Sequence, residues 1–586
     1  MTVAQRRTAL TASMPSPIGG WNARDSLAQM SPTDAVQLVN WFPTPTDITL
    51  RKGYSKYSTG ITGRVNSLMN YAGVTAQKLF AAAGTTLYLA DDGAASSVLT
   101  GLSNDKFQHI NVSTAGGNFL VACNGQDPVL VYDGTAWAKM ATTTTAQTIS
   151  SITHSGTTAT LTTATAHGLV TGNRVTISGA SPSAYNGTYV ITVTGSATFT
   201  YVMATNPATN ATVVGSYTVL GIDGVDSATF INVNLFKNRL YFTQKNTMKC
   251  WYLPVNSIGG TASVLDFGGI ARNGGYLQAM GTWTLDAGQG ADDYAVFITN
   301  MGEIIVYNGT DPATADTWAL KGVWQLGQTF NRRCFLKWSG DLLLITQDGI
   351  VPLASALQSS RLDPRVNLTD KIYYAVSQAA TNYSDNFGWQ INYFASENML
   401  IMNIPTDEGN EQYVMHTITK SWARFTGIDA SCWEIHDTKG MYFGSDGFVG
   451  KFYEAYADDG QNISGYVQQA YSYFDNPGQQ KRFTMVRPIF LTSGGNPTIS
   501  CGINVDFDTQ NAVGSVTFNP LGNVGAWDTA TWDVDNWGSA NLVVNKVWQG
   551  VSGIGYSAGV YLAVASQGID VHWASTDYVM ERGSVI

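Results

Sequence analysis

The side chains best suited to chemistry in this sequence are its six histidines and five cysteines. No two histidines have the spacing that binds a metal from one helix face, and no two cysteines form a C-x-x-C pair. The cysteines are odd in number and widely separated, so we expect them to be reduced and buried rather than paired in disulfides. His167 precedes Gly168 at a predicted turn, where we expect it to make a structural hydrogen bond.

Catalytic motifs are absent from the sequence as well. It contains no G-x-S-x-G nucleophile elbow, no Walker loop and no dinucleotide fingerprint in a strand-turn-helix context. The acidic stretch from Trp527 to Gly538 lacks the closing glutamate of a calcium loop, and its tryptophans suit packing better. Arg332 and Arg333 are adjacent, so on a strand they would point to opposite faces. We therefore predict no catalytic, cofactor-binding or metal-binding residue, and a protein that is not an enzyme.

Composition limits the partners of this chain. Charged residues make up 13% of its 586 residues, and Lys+Arg 32 against Asp+Glu 42 gives a formal net charge of −10. This is the opposite of the basic footprint of a protein that grips nucleic acid by its phosphates. No apolar run approaches the roughly 18 residues of a membrane span, so we expect no membrane insertion by this chain.

A recurring unit of strand, glycine-centred turn and strand indicates an all-β fold. Its clearest instances are residues 78–93, 118–134 and 294–309, each of which predicts a β-hairpin. Such units recur about every 40 to 50 residues, which is typical of the blades of a β-propeller. We count about seven blades, with six to eight also compatible, over residues 61–145 and 221–475.

Two further β-units and one helix are predicted around the propeller. Residues 146–220 are rich in threonine and alternate strictly between polar and apolar side chains, which indicates an inserted small β-module. Residues 476–586 predict a C-terminal β-sandwich or partial barrel. Helical spacing of apolar residues predicts a short helix over 370–380, capped by Asp370.

The first 60 residues have a different texture. Five prolines between positions 15 and 45 exclude long regular elements, so residues 1–60 predict an extended strap. A short helical turn is expected over 31–40, because Ser31 can cap it and Pro32 fits its first position.

The start of the strap resembles that of a bacteriophage family. Its elements are Pro17-Ile-Gly-Gly-Trp-Asn-Ala-Arg-Asp-Ser-Leu27, Met30-Ser-Pro-Thr-Asp-Ala35, Leu38-Val-Asn-Trp-Phe-Pro43 and Leu50-Arg-Lys-Gly53. They are similar to those of tail nozzle or tail tubular proteins of short-tailed phages (podoviruses), also called packaged-DNA stabilisation proteins. The predicted propeller agrees with the fold of that family.

The resemblance implies a structural protein of the virion tail, assembled in the bacterial host cytoplasm. It implies a homo-hexameric ring below the portal and the head-to-tail adaptor ring, near the tail spikes or fibres, that continues and closes the DNA ejection channel. Genomic DNA would pass through the lumen without tight binding. Trp21, Arg24, Trp41 and Phe42 are then the expected assembly interface, since buried aromatics dominate interface energy. Alternatively, the strap covers its own propeller. The alternative functions are a carbohydrate-binding propeller and a receptor-binding tail protein.

Overall fold

The structure is a computed structural model that describes residues 9–585, except 75, 142–145, 285–292, 339, 359–366, 438–439, 494–496, 509–514 and 518–542. Almost all of its regular structure is β-strand, and its two α-helices are Leu353–Gln358 and Tyr373–Tyr383. Short 3-10 turns are Ser183–Tyr185, Ser227–Thr229, Ala315–Thr317, Asp370–Ile372 and Ala395–Glu397. Among the described residues, no helix is long and apolar enough to cross a membrane.

Among the described residues, seven groups of antiparallel strands form the blades of a β-propeller, as predicted; blades 1 and 7 share one sheet, and blade 6 continues into the C-terminal strands. The first strands of consecutive blades contact one another in chain order, and those of the seventh and first blades also meet, which closes the ring. The described strands of the blades, in chain order after the shared strand Tyr54–Ala72, are as follows: Gln77–Ala83, Thr86–Leu89 and Ser96–Thr100 (blade 1); Gln108–Thr114, Gly117–Cys123, Leu130–Tyr132 and Trp137–Lys139 (blade 2); Phe230–Phe236, Arg239–Gln244, Lys249–Tyr252 and Ser263–Asp266 (blade 3); Leu277–Thr284, Asp293–Thr299, Glu303–Gly309 and Trp318–Gln325 (blade 4); Phe335–Trp338, Asp341–Thr346 and Gly349–Pro352 (blade 5); Gln390–Phe394, Met399–Thr406, Gly409–His416 and Trp422–Phe425 (blade 6); Cys432–His436, Gly440–Gly444 and Asp446–Phe452 (blade 7).

The strand Tyr54–Ala72 joins the two ends of the ring. Its first part pairs with the last strand of blade 7, and its second part pairs with Gln77–Ala83 as the innermost strand of blade 1. Between these parts, Gly60 and Gly63 have φ values of 81° and 86°, which residues that carry a Cβ rarely adopt. The glycines therefore let one strand turn from one blade into the next.

The inserted module is a separate seven-stranded sheet. Its strands pair with one another. It contacts the propeller through a backbone bridge from Lys139 to Asn173 and an ion pair between Arg174 and Asp133, and a bridge from Ala141 to Gly221 joins the chain segments at its base. Its own core includes Tyr185, Phe199 and Tyr201. The strands of the module are Gln147–Ser155, Thr158–Thr163, Arg174–Ser178, Gly187–Val190, Thr192–Gly195, Thr198–Val202 and Ser216–Val219, and the short strands Ile222–Asp223 and Gly260–Thr261 pair nearby.

The C-terminal strands form two sheets, and the strap contributes strands to both. The first sheet contains Trp41–Pro43, Ile48–Leu50, Val571–Val585, Gln479–Thr492 and Val543–Asn545, with Ala9–Pro15 and Gln549–Gly555 attached. The second contains Asp34–Val39, Ile463–Gln469, Ala558–Ser566, Thr498–Val505 and Ser515–Thr517, with Gly20–Trp21 attached. The second sheet continues into blade 6 through the pair Val39 and Arg424. One apolar core, which includes Trp41, Trp433 and Trp573, extends through the sandwich into blades 6 and 7.

Three local expectations can be compared with this fold. The helical turn expected over 31–40 is wrong, because Asp34–Val39 is a strand whose backbone pairs with Ile463–Gln469. The helix expected over 370–380 is present as Tyr373–Tyr383, but Asp370 does not cap it, since its N-cap residue is Ile372. Residues 463–469, which we assigned to the propeller, belong to the sandwich. All five cysteines are buried and free, as expected.

Candidate functional site

The strap locks the propeller to the sandwich through Asn40. Its backbone adopts φ 60°, a left-handed conformation that asparagine tolerates better than most residues. Its side-chain Nδ2 donates to the Ser464 carbonyl of the sandwich at 2.8 Å, and its Oδ1 accepts from the Thr426 N–H beside blade 6 at 2.8 Å. One amide side chain thus connects strap, propeller and sandwich.

Arg51 lies beside Asn40 and is 1% exposed. Its Nε donates to Asn40 Oδ1 at 2.9 Å, and its Nη2 donates to the Thr426 carbonyl at 2.7 Å. Two further bonds, from Nη1 and Nη2 at 2.8 and 2.6 Å, hold the Asp458 carboxylate in a fork. Buried charge is tolerated only when it is paired and hydrogen-bonded, and this guanidinium meets both conditions.

The other strap elements are also fixed by close packing. A Cβ on Gly53 would lie 1.9 Å from the Ala457 carbonyl oxygen, so only glycine fits there. Gly20 has φ 80°, and a Cβ there would lie 2.7 Å from backbone atoms of Trp422. Nearby, the Asp34 carboxylate accepts from Asn22 Nδ2 at 2.8 Å and from Lys371 Nζ at 2.7 Å. Of the sequence elements of the phage resemblance, those around Asn40 and Arg51 thus form the junction, and the one around Gly20 packs against Trp422 of blade 6.

The four predicted interface residues lie in two different environments. Trp41 is fully buried and Phe42 is 4% exposed, and both belong to the chain's own core. Trp21 is half-buried, with its ring edge-on to Tyr413 at 5.1 Å. Arg24 keeps 41% of its side-chain surface exposed while it pairs with Asp25 and Asp370. Free surface at these positions is thus confined to Trp21 and Arg24, and the assembly role stays a prediction.

A second contact fastens the strap to the end of the chain. His572 Nδ1 lies 3.0 Å from Asp47 Oδ2 of the strap, and its Nε2 lies 3.2 Å from Asp570 Oδ2. The hydrogen bonds to Asp47 and then to Asp570 raise the pKa of His572 to about 9. Burial raises the pKa of Asp47, but the hydrogen bonds from His572 and Thr44 outweigh it and leave the pKa below its usual value. No sequence signal could predict the pairing of His572 with Asp47, because the two residues lie 525 residues apart.

The axis of the propeller holds buried ionisable side chains. His109 Nε2 lies 3.6 Å from Glu434 Oε2, and the two residues come from the first strands of blades 2 and 7. The side chain of Glu434 is 22% exposed and that of His109 is 18% exposed. Burial raises the pKa of Glu434 to about 8 despite the opposing attraction of Arg333, and burial lowers the pKa of His109 to about 4. Near neutral pH both groups are therefore mostly uncharged.

The two adjacent arginines are arranged differently from the sequence-based expectation. They occupy a turn before Phe335–Trp338 and not a strand, so alternation does not separate them. Arg332 Nη1 donates to the Asn124 carbonyl at 3.0 Å, and Arg333 Nη2 donates to Ser67 Oγ at 2.8 Å. The Arg333 guanidinium also lies 5.0 Å from the ring centroid of Phe387. Both side chains thus donate hydrogen bonds to other blades of the propeller.

Two remaining sequence features differ in outcome. His167 Nδ1 accepts a hydrogen bond from the Leu169 N–H at 3.0 Å, which confirms its structural role at a turn. The tryptophan-rich stretch 527–538 lies outside the described residues.

Comparison with known proteins assigns neither fold nor function to this chain. No protein-family model and no curated protein matches this chain. YCF48 from Cyanidioschyzon merolae is 9% identical, over 70% of this chain and 98% of that chain, with a TM-score of 0.24. A candidate 6-phosphogluconolactonase from Bacteroides fragilis is 12% identical, over 62% of this chain and 91% of that chain, with a TM-score of 0.27. At these values neither likeness carries a functional argument, and the propeller is defined by its own closed ring of sheets.

Proposed function

We propose that this chain is a structural component of a short bacteriophage tail, a ring-forming nozzle below the portal and adaptor that continues and closes the DNA ejection channel. The observation that supports this most is the junction around Asn40 and Arg51. Two of the residues that carry the phage resemblance, Asn40 and Arg51, join strap, propeller and sandwich. The resemblance therefore concerns residues on which the whole architecture depends.

Surface composition also suits assembly into a ring. The outer face of the first sandwich sheet exposes Met485, Val544 and Ile554, which are 37%, 45% and 60% exposed. Exposed apolar side chains on a sheet face are available for contact with another protein. A second copy of the chain is the partner that the proposed ring supplies.

The charge of the chain suits a channel that DNA passes without adhering. Each copy carries −10, so a hexamer would carry about −60, and the walls would repel the phosphate backbone. We expect purified rings to bind duplex DNA negligibly at moderate salt. Salt-sensitive binding at sub-micromolar concentration would instead indicate a gripping role.

The experiment that tests the ring is analytical ultracentrifugation combined with negative-stain electron microscopy, with and without the adaptor protein. Six copies of a 62.9 kDa chain would sediment as a particle of about 380 kDa and appear as sixfold annuli. A strict monomer under both conditions would contradict the nozzle. A monomer that also bound a glycan array would favour the carbohydrate-binding propeller, and one that bound host cells would favour a receptor-binding tail protein.

A further inference from the structure

A polar cavity of about 580 Å³ opens on the face of the propeller where the first strands of the blades begin. Its walls come from blades 2 to 5 and from the end of the helix Tyr373–Tyr383. A volume of this size is typical of small-molecule sites in proteins. The cavity is separate from the strap junction and the sandwich.

The charge of the cavity is opposite to that of the chain. Lys106, Lys245 and Arg332 line it, against the single carboxylate of Asp385. The whole chain, in contrast, carries −10. Within the described part of the chain, none of these three cations has a carboxylate within ion-pair distance. A cluster of like charges without an internal counter-ion favours the binding of an anion.

Hydrogen-bond donors in the cavity wall also lack acceptors. Asn331 Nδ2 is buried and has no hydrogen-bond partner among the described residues. Beside it, Arg332 Nη1 donates hydrogen bonds to the carbonyl oxygens of Asn124 at 3.0 Å and Lys106 at 3.5 Å. Arg333 does not line the cavity, but its guanidinium lies 5.0 Å from the ring centroid of the lining residue Phe387, and its Nη1 is buried and unpartnered as well. Unpaired buried donors are uncommon in proteins, so an acceptor-rich ligand would satisfy a real deficit.

The remaining wall is rich in carboxamides. An amide side chain both donates and accepts, which matches the two-way hydrogen bonding of hydroxyl groups. Phe387 adds an aromatic ring to the wall, and Lys106 Nζ lies 4.7 Å from the centroid of that ring. Five of the carboxamides come from separate loops and the sixth, Gln278, from the strand Leu277–Thr284: Asn246, Gln278, Asn300, Gln328, Gln347 and Asn386.

We propose that this cavity binds a small polyhydroxylated anion, a sugar that carries a phosphate or a carboxylate. Lys106, Lys245 and Arg332 neutralise the anionic group, and the carboxamides bind the hydroxyl groups. The site does not depend on ring formation, because all its walls come from one chain. It is a binding site only, and no group in it is assigned a catalytic role.

Isothermal titration calorimetry on the full chain tests the site with four probes: glucose 6-phosphate, glucuronate, glucose and inorganic phosphate. We expect saturable binding of at least one sugar anion, with glucose and inorganic phosphate each at least tenfold weaker. The stronger of the two sugar anions identifies the preferred acidic group. Absence of binding by both, or inorganic phosphate binding as tightly as they do, would overturn the proposal.

Two variants and a matched control locate the binding. Lys245→Gln should weaken the sugar anion about tenfold, as expected when a charged hydrogen bond is lost, without changing the melting temperature. Gln347→Ala should weaken the sugar anion and leave inorganic phosphate unchanged. Lys321→Gln, at an exposed lysine on the outer strand of blade 4 and outside the cavity, should bind like the wild type. Equal affinity of Lys245→Gln and Lys321→Gln for the sugar anion would refute this location.

Discussion

Replacing His572 with glutamine should remove a charge-dependent fastening between the strap and the C-terminal strand. Glutamine keeps an amide donor but cannot carry the positive charge that His572 shares with Asp47 and Asp570. The pKa of His572 is about 9 in the folded chain, against an ordinary value of about 6.5. A folded pKa above the unfolded one stabilises the fold fully below about pH 6.5, and this stabilisation is lost as the pH rises through about 9.

The size of the effect follows from the difference in pKa. A difference of about 2.5 pKa units corresponds to about 3.4 kcal/mol at most. His572 keeps 22% of its side-chain surface exposed, and solvent screening at such a partly open site reduces this to about 1–2 kcal/mol. We therefore expect His572→Gln to lower the free energy of unfolding by about 1–2 kcal/mol near pH 6, and by less than about 0.5 kcal/mol near pH 10.

Urea unfolding followed by tryptophan fluorescence, at both pH values, measures this difference. The control is His154→Gln in the inserted module, a histidine without an ion pair to a described carboxylate, whose Nδ1 bonds the Tyr185 hydroxyl instead. The comparison is between the stability losses of the two variants at each pH. A loss of stability in His572→Gln that is equal near pH 6 and pH 10 would refute the reasoning, because packing and not charge would then be responsible.

Three further perturbations have defined outcomes. Arg51→Lys should lower the free energy of unfolding by about 3 kcal/mol, because lysine cannot make the two parallel hydrogen bonds to the Asp458 carboxylate. The control, Lys56→Gln at an exposed ion pair, should change it by less than about 1 kcal/mol. Urea unfolding measures both values. Glu434→Gln should raise the melting temperature near pH 9 and change it little near pH 4. The reason is that the folded pKa of Glu434, about 8, lies above its ordinary value, so the wild-type fold loses stability as the pH rises through about 8. A difference in melting temperature that does not depend on pH would contradict this. Replacing residues 142–220 with two glycines should leave a folded chain, because a backbone bridge already holds Ala141 beside Gly221. Circular dichroism should show cooperative melting of this variant. An insoluble product would contradict the prediction.

Local pattern was enough to predict the repeating part of the fold. The hairpins over 78–93, 118–134 and 294–309 are present because alternation and glycine turns act between neighbouring residues. The helix near 373–383 follows the same local logic. Local signals decide these elements because their strand partners are only a few residues away.

The distant pairings could not be predicted. Ala9–Pro15 pairs with the far end of the chain, at Val571–Val585, and no local pattern encodes such a partner. Residues 34–39 fail as a helix for the same reason, because pairing with Ile463–Gln469 outweighs the capping signal of Ser31. The axial pair of His109 and Glu434 combines residues from blades 2 and 7, which become neighbours only when the ring closes.

The burial of the strap motifs decides how a ring interface must be tested. Trp41 has no exposed surface and contributes to the core that joins sandwich and propeller, so its replacement would damage the fold before any interface. Loss of rings in a Trp41 variant would therefore not identify a contact between chains. Arg24 is 41% exposed, and its ion pairs lie at the surface, where such pairs contribute little to stability. A substitution at Arg24 that abolished rings without lowering the melting temperature would be evidence for an interface, because it separates assembly from folding.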